Sequence, residues 1–253
     1  MKPILAVLPA DFRSTFLDGL TPREKKSVLK AARQVRIAPD QVLQHEGDAA
    51  KRLWLVVKGR VAVYRLASNG DKLFLRWGTG GDTFGLPTIL KAPAHYLVTI
   101  EAVQESTILT WNLASCQGLV LQFPNLSKVV TLVAADYIAD LTDVLGMCQL
   151  KSAEQRLAHV IIKSANQLGR DGREGTLVDL TNEELALASH MSVFTVSRNL
   201  NKWQNLGILK KYRGKVVLPS LAPFKTITKE TWDKSASRTL RPAPFAPEMV
   251  QMR

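Results

Sequence analysis

Between Leu180 and Leu218 two short helices are bounded by their own end signals, and this constrains the chain more than any other stretch. Thr181 stands three residues before Glu184, the spacing of a capping box in which side chain and backbone satisfy each other's free amides. Leu185, Ala186 and Ala188 give that helix a small apolar face. After a break at His190-Met191, Ser192 is a second N-cap. Val196, Leu200 and Trp203 then recur at helical spacing and should face inward, leaving Thr195, Ser197, Arg198, Asn201 and Lys202 on the other faces. Gly207 is placed to end the helix as a left-handed residue. Ile208–Lys211 and Lys215–Leu218 read as two strands around Tyr212-Arg213-Gly214. Two helices, a tight turn and a basic hairpin describe a winged helix-turn-helix.

Such a module suits double-stranded DNA. The free N–H groups of a helix N-terminus bind phosphate, and the Ser192 and Thr195 hydroxyls add donors there. An Arg one turn into the helix reaches the O6 and N7 edge of guanine with two hydrogen bonds, and Arg198 holds that position. Lys210, Lys211, Arg213 and Lys215 bring the wing to the phosphate backbone. The plainer alternative is a helical subdomain whose charges are a solvated face, or a helix-turn-helix that makes protein contacts.

Charge favours the polyanion. The net charge is +12, and it concentrates toward the end of the chain: +4 over residues 1–150, +5 over 151–218 and +3 over 219–253. At 253 residues, 46% of them apolar, the chain has room for two domains with real cores. No apolar run reaches membrane-spanning length, and the opening Met1–Pro9 lacks the long apolar region of a secretion signal, so a cytoplasmic protein without membrane partners is expected. Cys116 and Cys148 form no ligand-spaced pair, so no metal is expected. No nucleophile–base pair appears, and Gly78-Thr79-Gly80-Gly81 lacks the Lys-Ser/Thr of a phosphate loop, which argues against an enzyme.

Upstream, Phe12, Phe16, Leu17 and Leu20 carry a helical pattern, and Thr21-Pro22-Arg23-Glu24 is another capping box with proline at the first helical position. From Val35 the period shortens. Leu53–Val57, Val61–Tyr64, Leu73–Trp77, Leu97–Val103 and Thr107–Trp111 are β-rich runs punctuated by glycine turns, which predicts an antiparallel, jelly-roll-like barrel. Asn69-Gly70 predicts a type I′ hairpin turn. Pro124 then opens a long helix to about Leu150. Leu126, Val130, Val133, Tyr137, Leu141, Val144 and Cys148 form one apolar seam, suited to a homodimer through the 124–150 helix. Val129, Leu132, Ile138 and Leu145 form a second stripe for packing on the barrel. Ser152 and Gln155 cap the next helix, making 150–152 a hinge, and Gly169–Gly175 reads as a polar loop. The tail, with Pro242, Pro244 and Pro247, is basic and reads as extended. The fold class is thus α+β, with residues 1–123 as N-terminal helices and β-roll, 124–151 as helix and hinge, 152–220 as winged helix and 221–253 as tail.

Ser192-Val193-Phe194-Thr195-Val196-Ser197-Arg198, followed by Trp203, Leu206–Leu209 and the basic wing, resembles the CRP/FNR family of bacterial transcription regulators. His45–Asp48, Val57–Val61, Gly70 and Gly81-Asp82-Thr83-Phe84-Gly85 resemble that family's cyclic-nucleotide-binding roll. The resemblance spans roughly residues 10–220 and implies a homodimer on a near-palindromic operator, with RNA polymerase as a further partner. It adds Val193 and Phe194 to the DNA-facing set. The Val and the Ser-Arg look like the FNR branch, but Phe194 replaces an acidic residue. A carboxylate there accepts from a cytosine amine, whereas a phenyl ring offers only apolar contact, for instance to a thymine methyl.

The resemblance also locates an effector pocket at Gly85, Leu86, Pro87, Tyr96, Leu97, Leu141 and Thr142. The family's ribose-binding glutamate is replaced at Leu86 or Pro87, and its phosphate-binding arginine by Tyr96. An unpaired phosphate charge in a partly buried site is costly, so cyclic AMP is not the expected effector. Two distant cysteines cannot hold an iron–sulfur cluster, and His45, His95, His159 and His190 are isolated, so no cofactor is expected.

Overall fold

The computed structural model describes residues 8, 9, 11–89, 94–150 and 152–228. Two short helices, α1 (Thr15–Asp18) and α2 (Pro22–Ala31), lead into eight strands: β1 (Arg33–Ile37), β2 (Val42–Gln44), β3 (Arg52–Lys58), β4 (Val61–Leu66), β5 (Lys72–Gly78), β6 (Thr83–Phe84), β7 (Thr99–Ala102) and β8 (Ser106–Asn112). They form two four-stranded antiparallel sheets, ordered β1-β8-β3-β6 and β2-β7-β4-β5. The predicted capping box of α2 is formed, Thr21 accepting from the Glu24 amide and Glu24 from the Thr21 amide. Trp111 of β8 donates its indole N–H to the Val28 carbonyl at 2.7 Å and so fastens α2 to the sheet.

The period-two alternation of the strands sorts side chains between different cores. On β3, Trp54 and Val56 point into the roll beside Val61, Val63, Phe84, Ile100 and Ile108. Leu53, Leu55 and Val57 point the other way, into a layer built from α1, α2 and the following helices. On β4, Val61 and Val63 face the roll interior, while Ala62 and Tyr64 join a third cluster shared with the C-terminal half of the chain. The β4–β5 turn differs from the expected type I′. Gly70 alone of the pair takes positive φ, at +86°, and its amide donates to the Ala67 carbonyl at 2.9 Å. That is a type I turn closed by a left-handed glycine, which one glycine suffices to build.

After β8, α3 (Leu113–Gln122) is capped by Asn112, whose side chain accepts from the Ser115 amide; periodicity alone did not reveal it. The long helix α4 (Asn125–Cys148) follows as expected, but each of its two apolar stripes is split between the buried and the exposed side. Leu126, Val129 and Val133 are buried against the roll, with Tyr137 stacked on Phe84, whereas Leu132, Ile138, Leu141 and Leu145 are exposed. The buried side mixes the two: Leu126, Val133 and Tyr137 come from the seam and Val129 from the second stripe, while Leu141 and Cys148 of the seam are exposed.

The remainder is α5 (Ala153–Leu168), β9 (Arg170–Gly172), β10 (Gly175–Val178), α6 (Asn182–Ser189), α7 (Val193–Asn205), β11 (Lys210–Tyr212), β12 (Lys215–Leu218) and α8 (Ala222–Thr228). Ser152 and Gln155 form the expected box at the start of α5. The segment read as a polar loop is instead a hairpin: β9 and β10 extend the wing into a sheet ordered β11-β12-β10-β9. The first residues of the tail are also not extended. Ser220 accepts from the Ala222 amide at 3.1 Å, and Phe224 is fully buried, its ring edge-on to Trp203 with centroids 5.1 Å apart. One aromatic anchor in a short segment carries no periodicity, which is why the sequence read as coil there. The rest of the tail, 229–253, lies outside the described residues.

Burial of Phe224 makes α8 part of the C-terminal core. Phe224→Ala should lower the free energy of unfolding by about 3–5 kcal/mol, read as an earlier urea midpoint; an unchanged midpoint would show that α8 merely rests on the surface.

Candidate nucleic-acid interface

α6 and α7 are set by their caps. Thr181 and Glu184 exchange the two hydrogen bonds of a capping box, and Ser192 accepts from the Thr195 amide at 3.2 Å. The turn between the helices relies on His190 in the left-handed region (φ 50°), where a glycine is the commoner choice, and on the Met191 amide donating to Ala186 at 3.1 Å. Val196, Leu200 and Trp203 are fully buried, as their spacing predicts. Asn199 is also buried, and its side-chain amide donates back to the Thr195 carbonyl at 2.9 Å. Glu154 of α5 anchors the other end of α7, accepting from the Trp203 indole at 3.0 Å and from Lys202 at 3.0 Å.

The face left outward carries most of the residues singled out from sequence. Ser192, Val193, Phe194, Arg198, Asn201 and Lys202 are exposed, and Thr195 and Ser197 are half-buried. The Ser192 and Thr195 hydroxyls lie 2.9 Å apart beside the unpaired amides of the first turn, a combination that offers donors to an anion. Among the described residues, no salt bridge joins Arg198, Lys211, Arg213 or Lys215 to an acid. Lys211 donates to Asn201 at 3.2 Å and so ties the wing to α7. Two cations of the predicted set are already paired: Lys202 with Glu154, and Lys210 with Glu174 at 2.9 Å. The hydrogen bond from Lys210 holds the Glu174 carboxyl below its usual range. Both pairs are solvent-exposed, the kind that exchanges readily for a phosphate.

The roll holds this module directly. Arg60, in the β3–β4 turn, donates to the Asp179 carbonyl at 2.6 Å, pairs with Glu184 of the α6 capping box and lies over the Trp77 ring. On the other side, Arg76 of β5 sits between Asp82 and Asp140, 3.0 Å from each, while Lys163 of α5 reaches Asp140 at 3.1 Å and Asp143 at 3.4 Å. Burial opposes the Arg76 charge, but Asp82 and Asp140 outweigh it and raise its pKa; burial raises that of Tyr137. Arg76, Asp140 and Lys163 escaped the sequence reading. The available signal was an Arg inside the apolar run Leu73–Trp77 and an Asp on the apolar side of α4.

Among the described residues, neither the cleft between β5, α4 and α5 nor the one beside Tyr137 is lined by any of the seven residues assigned to an effector pocket. Tyr96 is buried, and its hydroxyl accepts from the Lys51 and Arg52 amides at 3.1 and 2.8 Å and donates to the Arg52 carbonyl at 2.9 Å. Leu97 and Leu141 are exposed, and Thr142 is exposed with its hydroxyl donating to Ile138 of its own helix. Gly85 sits where a Cβ would come within 2.3 Å of the Arg52 carbonyl, and Leu86 and Pro87 are half-buried in a single 3-10 turn, Leu86–Ile89. The cleft between β5, α4 and α5 lies elsewhere and includes Trp77, Met147 and Lys163. Burial pushes the Cys116 thiol up to about 12, which leaves it without reactive thiolate. No described helix is long and apolar enough to cross a membrane.

Known proteins share both halves. A cyclic nucleotide-binding domain matches residues 34–123, and a Crp-like helix-turn-helix domain matches 155–225, a span that runs into α8. The fumarate and nitrate reduction regulatory protein of Escherichia coli (strain K12) is 25% identical over 180 residues, 70% of this chain and 71% of the relative. A CooA variant from Carboxydothermus hydrogenoformans is 26% identical, covering 88% of this chain and 98% of its own, with a TM-score of 0.67. FixK2 from Bradyrhizobium japonicum, 20% identical over 78% of this chain and 96% of its own, shares the fold at a TM-score of 0.68. These relatives are regulators rather than enzymes. With a roll, a long helix and a capped helix-turn-helix in the same order, the chain belongs to the CRP/FNR family of transcription regulators.

Proposed function

We propose that this regulator acts as a homodimer that reads a near-palindromic operator through the exposed face of α7 and the β11–β12 wing. The observation that carries the reading is the exposed Arg198, free of any salt bridge among the described residues, one turn inside a helix whose N-terminus presents Ser192 and Thr195. Arg198 would face a guanine edge, while Arg213, Lys211 and Lys215 neutralise phosphates. The exposed Ile138, Leu141 and Leu145, spaced by three and four residues along α4, supply an apolar stripe for a second copy. A two-fold pair would set two α7 helices about 34 Å apart, one turn of DNA.

Selection of bound sequences from random duplexes by the purified protein should enrich a two-fold-symmetric motif; failure to enrich any motif would sink the proposal. On the selected site, Arg198→Ala should cost about 1–3 kcal/mol and relax one base pair per half-site. Arg213→Ala should weaken all sequences alike and reduce the salt slope by about 1. Leu145→Glu should halve the mass in light scattering and abolish binding to the symmetric site while helical content persists; a dimer of unchanged mass would refute the α4 interface.

We also propose that cyclic AMP is not the signal of this roll. Tyr96 stands where a phosphate needs a cation, and its hydroxyl is committed to three backbone groups of Lys51 and Arg52. Bringing an anion there would leave it without a charged partner. Addition of millimolar cyclic AMP should leave both the melting temperature and DNA affinity unchanged, whereas a saturable upward shift in either would overturn this.

A further inference from the structure

Phe194 is the second residue of α7 and is 76% exposed, with Val193 before it at 40%. Neither joins any of the three apolar clusters of the fold. Phe194 and Arg198 are four residues apart, so they share one face of the helix, opposite Val196, Leu200 and Trp203. A large apolar side chain is therefore presented to the same partner as Arg198, in surroundings that are otherwise hydroxylic and cationic. The cations of the same module, Arg198 on this helix and Lys211, Arg213 and Lys215 on the wing, fit a polyanion and oppose a basic protein surface.

Within the major groove every base edge offers hydrogen-bonding groups, and the one apolar projection is the C5-methyl of thymine. We propose that Phe194 is a specificity-determining residue that selects a pyrimidine 5-methyl group in each half-site. This rests on α7 being the helix that enters the groove. The selection works in both directions. Packing the ring on a methyl removes apolar surface from water on both partners. Against an unmethylated cytosine the ring covers the exocyclic amine and gives it no acceptor, so that amine loses its water without compensation.

The test uses the full-length protein and its selected duplex, with each thymine replaced in turn, symmetrically in both half-sites, by deoxyuridine. That change removes the methyl group and nothing else. At one position the wild type should lose about fourfold in affinity per half-site, the value of one buried methyl, or more than tenfold over the dimer. Phe194→Ala should bind the thymine and deoxyuridine duplexes equally, with an unchanged melting temperature because the ring is exposed. 5-Methylcytosine at the same position should bind better than cytosine in the wild type alone. Equal binding of every deoxyuridine duplex by the wild type would overturn the methyl contact while leaving the docking of α7 intact. Absence of binding to any duplex would overturn the docking, and the contact with it.

Discussion

The arrangement of the molecule depends on the ion chain Asp82–Arg76–Asp140–Lys163–Asp143. It starts on the turn before β6, crosses β5, passes through Asp140 of α4 to Lys163 of α5 and returns to α4 at Asp143, so one run of alternating charges joins the roll, the long helix and the first helix of the DNA-binding half. Arg76 is 9% exposed, and its guanidinium also lies 5.1 Å from the centroids of both the Phe84 and Tyr137 rings. A cation so enclosed is held by two carboxylates at 3.0 Å; removing both would leave an uncompensated buried charge, a loss on the order of 3–5 kcal/mol. The register of α4 on the roll is thus specified by charge as well as by shape, with Tyr137 inward and Ile138 outward.

The same arrangement explains what fills the space between roll and helix. Arg76, Phe84 and Tyr137 occupy it with protein side chains, and Tyr96 spends its hydroxyl on the roll's own backbone. The glycines of the Gly81–Gly85 run keep their family positions for scaffold reasons visible here: a Cβ on Gly81 would come within 2.2 Å of the Arg13 carbonyl, and one on Gly85 within 2.3 Å of the Arg52 carbonyl. A glycine pattern shared with nucleotide-binding rolls therefore reports close backbone approach and is silent about the ligand.

Much of the fold was legible because it rests on local chemistry. The capping boxes at Thr21, Ser152 and Thr181 and the cap at Ser192 depend on residues three apart, and all four formed. Val196, Leu200 and Trp203 were placed by helical period alone. What escaped depends on partners distant in sequence. The orientation of α4 on the roll involves Arg76, the folding of α8 one ring meeting Trp203, and the β9–β10 hairpin an edge offered by β12. At the interface, sequence identified the outward residues but not that Lys202 and Lys210 are already paired with Glu154 and Glu174. Residue type shows where a cation is, and only geometry shows whether an acid has reached it first.

The helix-turn-helix is docked on the roll by apolar and charged contacts together. Ala62, Tyr64, Phe74 and Trp77 of the roll share one apolar cluster with Leu185, Ala186 and Ala188 of α6, and Arg60 bonds both Asp179 and Glu184. Rotating the module away would expose Phe74 and Trp77, each worth about 1.5–3 kcal/mol when buried, and return Arg60 and Glu184 to water. Carrying such an equilibrium from one state to the other requires a signal with about 5.5 kcal/mol of differential affinity. The docking contacts thus set what any reorientation of the helix-turn-helix on the roll would have to overcome.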